Sequence, residues 1–206
     1  MQRSLRLSLS LTGVAALALA SYPIHPVTAQ EDGRAADIGV IGGNADALDK
    51  AMGRLTGGLY IVTASKGDVG KKQHGAMVAS WVTQASFTPP GLTVAVAKDR
   101  AIEPLMQVDD RFVINILSEE NYQPLLHQFL KPLPPGTNHF EGVNVLNNVA
   151  KGGHVISDAI AHLDCVVKQR LETADHFIIY AVVEQGNVAN TEAKTAVHHR
   201  KVGNNY

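Results

Sequence analysis

Lys98-Asp99-Arg100 sets two cations and a carboxylate at the end of the apolar run from Leu92 to Ala97. Beside the free N–H groups of a helix start such cations cradle a phosphate, whereas at a plain strand end they are only solvated. Upstream, Ala76, Ala79, Ser80, Ala85 and Ser86 mix small side chains with hydroxyls. That surface suits close approach of a flat aromatic ligand to the backbone, and it equally suits two tightly packed strands. His176 follows Asp175 at a turn, and His198-His199-Arg200-Lys201 forms a basic cluster near the C-terminus. Imidazoles in such places serve metal binding, proton transfer or phosphate contact, or nothing specific.

Other chemistries lack their residues. There is no HExxH, and His139-Phe140-Glu141 has no downstream ligand cluster, so no metal is expected. A GxSxG elbow, a Walker loop, a GxGxxG turn after a strand and an aromatic-interleaved basic strip are all missing. A single cysteine, Cys165, excludes an intramolecular disulfide and sits in the apolar run Leu163-Asp164-Cys165-Val166-Val167, where it reads as a buried small residue. The formal net charge of −1 argues against nucleic acid or an anionic membrane as the main partner, because both need a basic footprint. Any anion must be held by a local site.

The elements that must position these residues are mostly strands. The chain has 206 residues, 45% of them hydrophobic, enough for one globular domain with a sizeable core. Residues 1–29 carry Arg3 and Arg6, then a Leu-, Ala- and Ser-rich run with no acid before Glu31, which reads as a targeting segment too short for a stable membrane span. Val27-Thr28-Ala29 suits secretory cleavage, and the acid-poor composition equally suits an organelle transit peptide. A Gly-rich linker over 30–44 precedes the domain, read as 45–206. Asn44 or Asp46 caps a short helix with Leu48, Met52 and Leu55 on one face, ended by Gly57-Gly58. Strands are expected over Leu59–Ser65, His74–Ser80 and on to Phe87, Leu92–Ala97, Arg111–Leu117, His162–Leu171 and His176–Glu184. Short helices are expected over Arg100–Val108 and Tyr122–Leu130. The Pro89-Pro90-Gly91 corner must lie outside a sheet interior, since proline cannot donate to a ladder. Many strands with few short helices predict a mainly β fold, an antiparallel barrel with covering helices.

Several strings, taken in order, are more specific than any one of them: MVASWVTQASFTPPGLTVAVAKDRA (Met77–Ala101), RFVINIL, HFEGV, ADHFIIYAVVEQG (Ala174–Gly186) and HHRKVGNNY. Together they resemble the flavin reductase-like split-barrel FMN-binding domains, and most closely the C-terminal flavin reductase module of photosynthetic flavodiiron proteins. The resemblance implies a Greek-key split barrel binding FMN, a homodimer with flavin near the subunit interface, and hydride taken from NADH or NADPH. It implies that Met77, Val78, Ala79, Ser80 and Trp81 run beside the isoalloxazine, with Gln84, Ala85 and Ser86 offering hydrogen bonds. Lys98, Asp99 and Arg100 would then lie near the ribityl phosphate and His176 near the nicotinamide. His198 or His199 would border the flavin site.

The function so implied is an NAD(P)H-dependent flavin oxidoreductase passing electrons through FMN to a second acceptor. One alternative is an FMN-binding electron-transfer module that works only with separate flavodoxin and diiron partner domains in oxygen reduction. The other is a barrel that has lost flavin and serves as an interaction domain. A plastid setting follows from the same resemblance. Two departures stand out: Ala174 replaces a glycine common in the hairpin, and no flavodoxin domain precedes the module.

Overall fold

The computed structural model describes residues 41–68, 72–131, 138–147, 149–201 and 203. The expected targeting segment and most of the expected linker lie outside them. The compact unit Gly43–Tyr206 holds the fold. A helix, α1 (Ile41–Met52), begins inside the stretch read as linker, running through Asn44 and Asp46 rather than being capped by them. Leu48, Met52 and Leu55, read as one apolar helical face, are all about half exposed.

Among the described residues eleven strands follow: β1 (Gly57–Gly58), β2 (Tyr60–Lys66), β3 (Gln73–Ala79), β4 (Val82–Phe87), β5 (Pro90–Ala97), β6 (Arg111–Ile116), β7 (Val145–Leu146), β8 (Val155–Ile156), β9 (Ala161–Glu172), β10 (His176–Val188) and β11 (Val197–His198). The second helix, α2 (Tyr122–Leu130), lies between β6 and β7. Seven strands form one antiparallel sheet in the order β3-β2-β6-β9-β10-β5-β4. Its two outermost strands, β3 and β4, are joined through Ser80 and Trp81 alone. Two residues span less than roughly 10 Å, so the sheet must curl until its edges meet. They meet without pairing to each other, which makes the barrel split at that seam.

Strand periodicity sets the core. Along β2, Val62 and Ala64 face the barrel interior with Met77, Val94, Phe112, Ile114 and Ile179, while Ile61 faces a second cluster beneath α2 with Leu117, Leu125 and Phe129. Both faces of β2 are therefore covered, and each fully buried Ile or Phe contributes about 1.5–3 kcal/mol. Asn115 is the buried polar residue of RFVINI. Fully buried, it donates through Nδ2 to the carbonyls of Ile61 and His154 at 3.1 Å each and accepts the Ile156 N–H at 2.8 Å.

Two further expectations differ from the structure and one conforms. The helix read over Arg100–Val108 shrinks to a 3-10 turn, Glu103–Leu105. Pro104 lies in its first turn, and the chain reverses at Asp109, φ 67°, and Asp110, whose carboxylate accepts the Gln107 N–H at 3.0 Å. Gly57-Gly58 ends no helix. It forms β1 and pairs with β11, and a Cβ on Gly57 would meet the Ser80 carbonyl oxygen at 2.0 Å, which explains the glycine. The proline corner conforms: Pro90 opens β5 opposite Phe87, and pairing with β10 starts only at Gly91.

Candidate functional site

Beside that seam, residues of β3 and β5 form the floor of a cleft of about 1010 Å³. Alternate residues put Ala95 and Ala97 of β5 into it, together with Ala76, Met77 and Val78 of β3. Small side chains there leave the backbone open to a flat ring. Ionisable groups rim the floor: Lys98, Asp99 and Arg100 where β5 ends, Asp175 and His176 at the β9–β10 hairpin, Lys131 and His139 on the α2 side, and Arg200 from the C-terminal tail.

The rim is internally wired. The Lys98 ammonium donates to Glu172 at 2.7 Å and to the Ala174 carbonyl at 3.1 Å, and its backbone N–H donates to the Asp175 carbonyl at 2.9 Å. Lys98 holds the Glu172 carboxyl below the usual carboxylate range. The Asp175 carboxyl is likewise lowered, first by its hydrogen bond from His176, whose Nδ1 lies 2.9 Å away. That bond fixes the imidazole and leaves Nε2 as its other polar atom. The His176 ring lies 5.1 Å from that of Trp81, and the Arg200 guanidinium lies 5.1 Å from the same Trp81 indole. Arg200 also donates to the carbonyls of Gly203 at 2.9 Å and Met52 at 3.2 Å.

Of the residues singled out from sequence, Met77, Val78, Trp81, Lys98, Asp99, Arg100 and His176 line this cleft. Ala79 and Ser80 are buried beside it. Gln84, Ala85 and Ser86 lie on the edge strand β4 and are not among the lining residues. The Ser86 hydroxyl instead meets the Pro89 carbonyl and the Tyr180 hydroxyl. His198 and His199 also lie outside the lining. His198 pairs with Gly57 in the β11 ladder, and burial, with Arg200 and His199 nearby, pushes its imidazole below the ordinary histidine value. The substituted hairpin residue Ala174 needs no special backbone, because Asp109 is the one non-glycine residue with positive φ among the described residues.

Sequence reading did not assign Ala95, Ala97, Lys131, His139 or Arg200 to the site. The i, i+2 spacing of the two alanines in LTVAVA was a usable signal. Lys131 and His139 had none, since Lys131, just past α2, and His139 are brought to the cleft only by packing. The cysteine is as expected: Cys165 is fully buried, and burial with Asp164 beside it pushes its thiol up to about 12.

A split antiparallel barrel with a small-residue cleft at its seam defines the class. The chain belongs to the flavin reductase like domain family, matched over residues 52–204. It is 59% identical over 159 residues to diflavin flavoprotein A 1 of Synechocystis sp., an alignment covering 77% of this chain and 27% of that protein. The chain thus spans about a quarter of the length of the curated relatives it matches. Among solved structures it is similar to the NADH:FAD oxidoreductase of Streptomyces globisporus C-1027, with a TM-score of 0.65 and 22% identity over 73% of this chain and 85% of that one. The styrene monooxygenase flavin reductase of Pseudomonas putida S12 aligns with a TM-score of 0.58 and 20% identity, covering 73% and 90%. These structures share the fold. The family makes the chain a flavin-related oxidoreductase or electron-transfer domain. Among the described residues, no helix is long and apolar enough to cross a membrane.

Proposed function

We propose that the chain is an NAD(P)H:flavin oxidoreductase that holds FMN in this cleft and passes electrons from a reduced nicotinamide to a second acceptor. The observation carrying this reading is the alanine floor at the barrel seam, rimmed by cations, in a chain of the flavin reductase like family. Bound flavin would supply the two-electron chemistry that no side chain here possesses. The protein's share is positioning. Ala76, Ala95 and Ala97 admit a ring against the backbone, and the apolar Met77 and Val78 keep that floor dry. Lys98 clamps the β9–β10 hairpin through Glu172 and Ala174, which holds His176 over the cleft for contact with the donor. The cations Arg100, Lys131 and Arg200 favour an anionic ligand. We extend the proposal to a homodimer, supported by Phe87, 85% exposed beside the free edge of β4.

A second reading is an FMN-binding electron-transfer module that works with separate flavodoxin and diiron partner domains. It is favoured by the fact that the chain matches only 27% of a diflavin flavoprotein. Anaerobic titration of the FMN-loaded chain with NADPH and then NADH separates the two. Rapid stoichiometric bleaching of the flavin absorbance is the expected result. Flavin that binds but stays oxidised would shift support to the partner-dependent module, and failure to bind flavin would defeat both.

A further inference from the structure

Arg200 is held in an unusual way for a tail residue. Its guanidinium lies over the Trp81 indole, 5.1 Å from the ring centroid, and bonds the carbonyls of Met52 and Gly203. Trp81 in turn sits in the link between β3 and β4, where its carbonyl accepts the Ala95 N–H at 3.0 Å. Its ring contacts His176, which Asp175 fixes from the hairpin. The ladder Arg200–Trp81–His176 therefore joins the tail to the β9–β10 hairpin across the cleft, and all three side chains line it.

The cations of the rim are not equivalent. The Lys98 ammonium already has a carboxylate at 2.7 Å and a carbonyl at 3.1 Å. The Arg100 side chain is 54% exposed, with Asp99 at 3.9 Å, so its charge is screened by water. Arg200 has five N–H donors, two of them engaged by neutral carbonyls, and no carboxylate within ion-pair distance among the described residues. A weakly hydrated guanidinium resting on an indole keeps its remaining donors pre-oriented.

We propose that Arg200, presented by Trp81 as its positioning residue, is the phosphate-binding residue of this cleft, in place of Lys98. The inference rests on the flavin-binding reading above. The phosphate monoester belongs to the flavin or to the dinucleotide donor, and the test tells these apart.

Trp81 is the one tryptophan of the chain, so its emission reports on the cleft without any turnover. FMN, riboflavin and NADP+ would each be titrated into the full chain and into Arg200→Gln, following quenching. Loss of a charge-assisted bond predicts FMN binding about ten- to a hundredfold weaker in Arg200→Gln, with riboflavin unchanged. A loss confined to NADP+ would support the inference with the dinucleotide as the phosphate source. Unchanged affinity for both phosphorylated ligands would overturn it, as would loss of FMN preference in Lys98→Ala alone. If the unaltered chain binds no flavin, the flavin reading falls and takes the inference with it.

Because Arg200 also ties the tail to Met52, Trp81→Ala is the second variant. It keeps both carbonyl bonds and removes the platform. Followed by flavin fluorescence, it should lose part of the preference for FMN over riboflavin, and Trp81→Phe should restore it. A purely structural ladder would weaken both flavins equally, which would also overturn the proposal.

Discussion

Asn115 shows how one polar residue registers several elements. Its side chain meets a carbonyl of β2, a carbonyl in the loop before β8 and the Ile156 N–H of β8, all without solvent. Replacing it by Ala leaves one buried donor and opens a void. A destabilisation of about 1–3 kcal/mol is expected, measured as a lower denaturant midpoint at unchanged slope. A loss below about 0.5 kcal/mol would mean that water replaces the amide. At the same scale, Lys98 changes meaning: sequence makes it a phosphate ligand candidate, while the structure engages its ammonium with Glu172.

Among the elements, β4 is the exposed one. It closes one end of the seven-stranded order, and Thr83, Gln84 and Ala85 are all exposed along it. A free edge with an adjacent exposed aromatic invites pairing with another chain. On the proposed homodimer, light scattering should give twice the chain mass, and Phe87→Lys should lower it towards a single chain. A single-chain mass for the unaltered protein would end the dimer proposal. The short β1–β11 ladder matters for a different reason: it anchors the segment that delivers Arg200 to the cleft.

At the scale of the whole molecule, three histidines among the described residues are held below their ordinary value of 6.5. Burial is the first cause for each. Lys72 adds to it at His74, and His74 and Lys72 add to it at His154. The His74 Nδ1 and His154 Nε2 lie 3.1 Å apart, so two protonated rings cannot share that place. A histidine with a lowered folded value takes up its proton more readily when unfolded, so folding stability rises with pH through that range. The thermal midpoint should therefore fall from about pH 7.5 to about pH 5.5, and His154→Gln should flatten the slope. A flat profile in the unaltered chain would contradict the assignment. The lowered carboxyls of Glu172, Asp175 and Glu184 act in a more acidic window, their contribution being lost as pH falls through their depressed folded values.

Local alternation was enough to reveal the long strands, because a half-buried pleat imposes a period of two on the residues themselves. It placed RFVINIL and the His162 and His176 strands close to where they stand, and the ordered strings from Met77 to the tail carried the family. Exclusion of an intramolecular disulfide within these residues was also decided by composition alone. Sequence could not show that β3 and β4 are opposite edges of one sheet, since that depends on pairings between residues far apart in the chain. The seam, the cleft floor and the rim follow from that closure. The same holds for Arg200 resting on Trp81: residues 119 positions apart, by their own numbers 81 and 200, meet only once the barrel has curled and the tail has paired with β1.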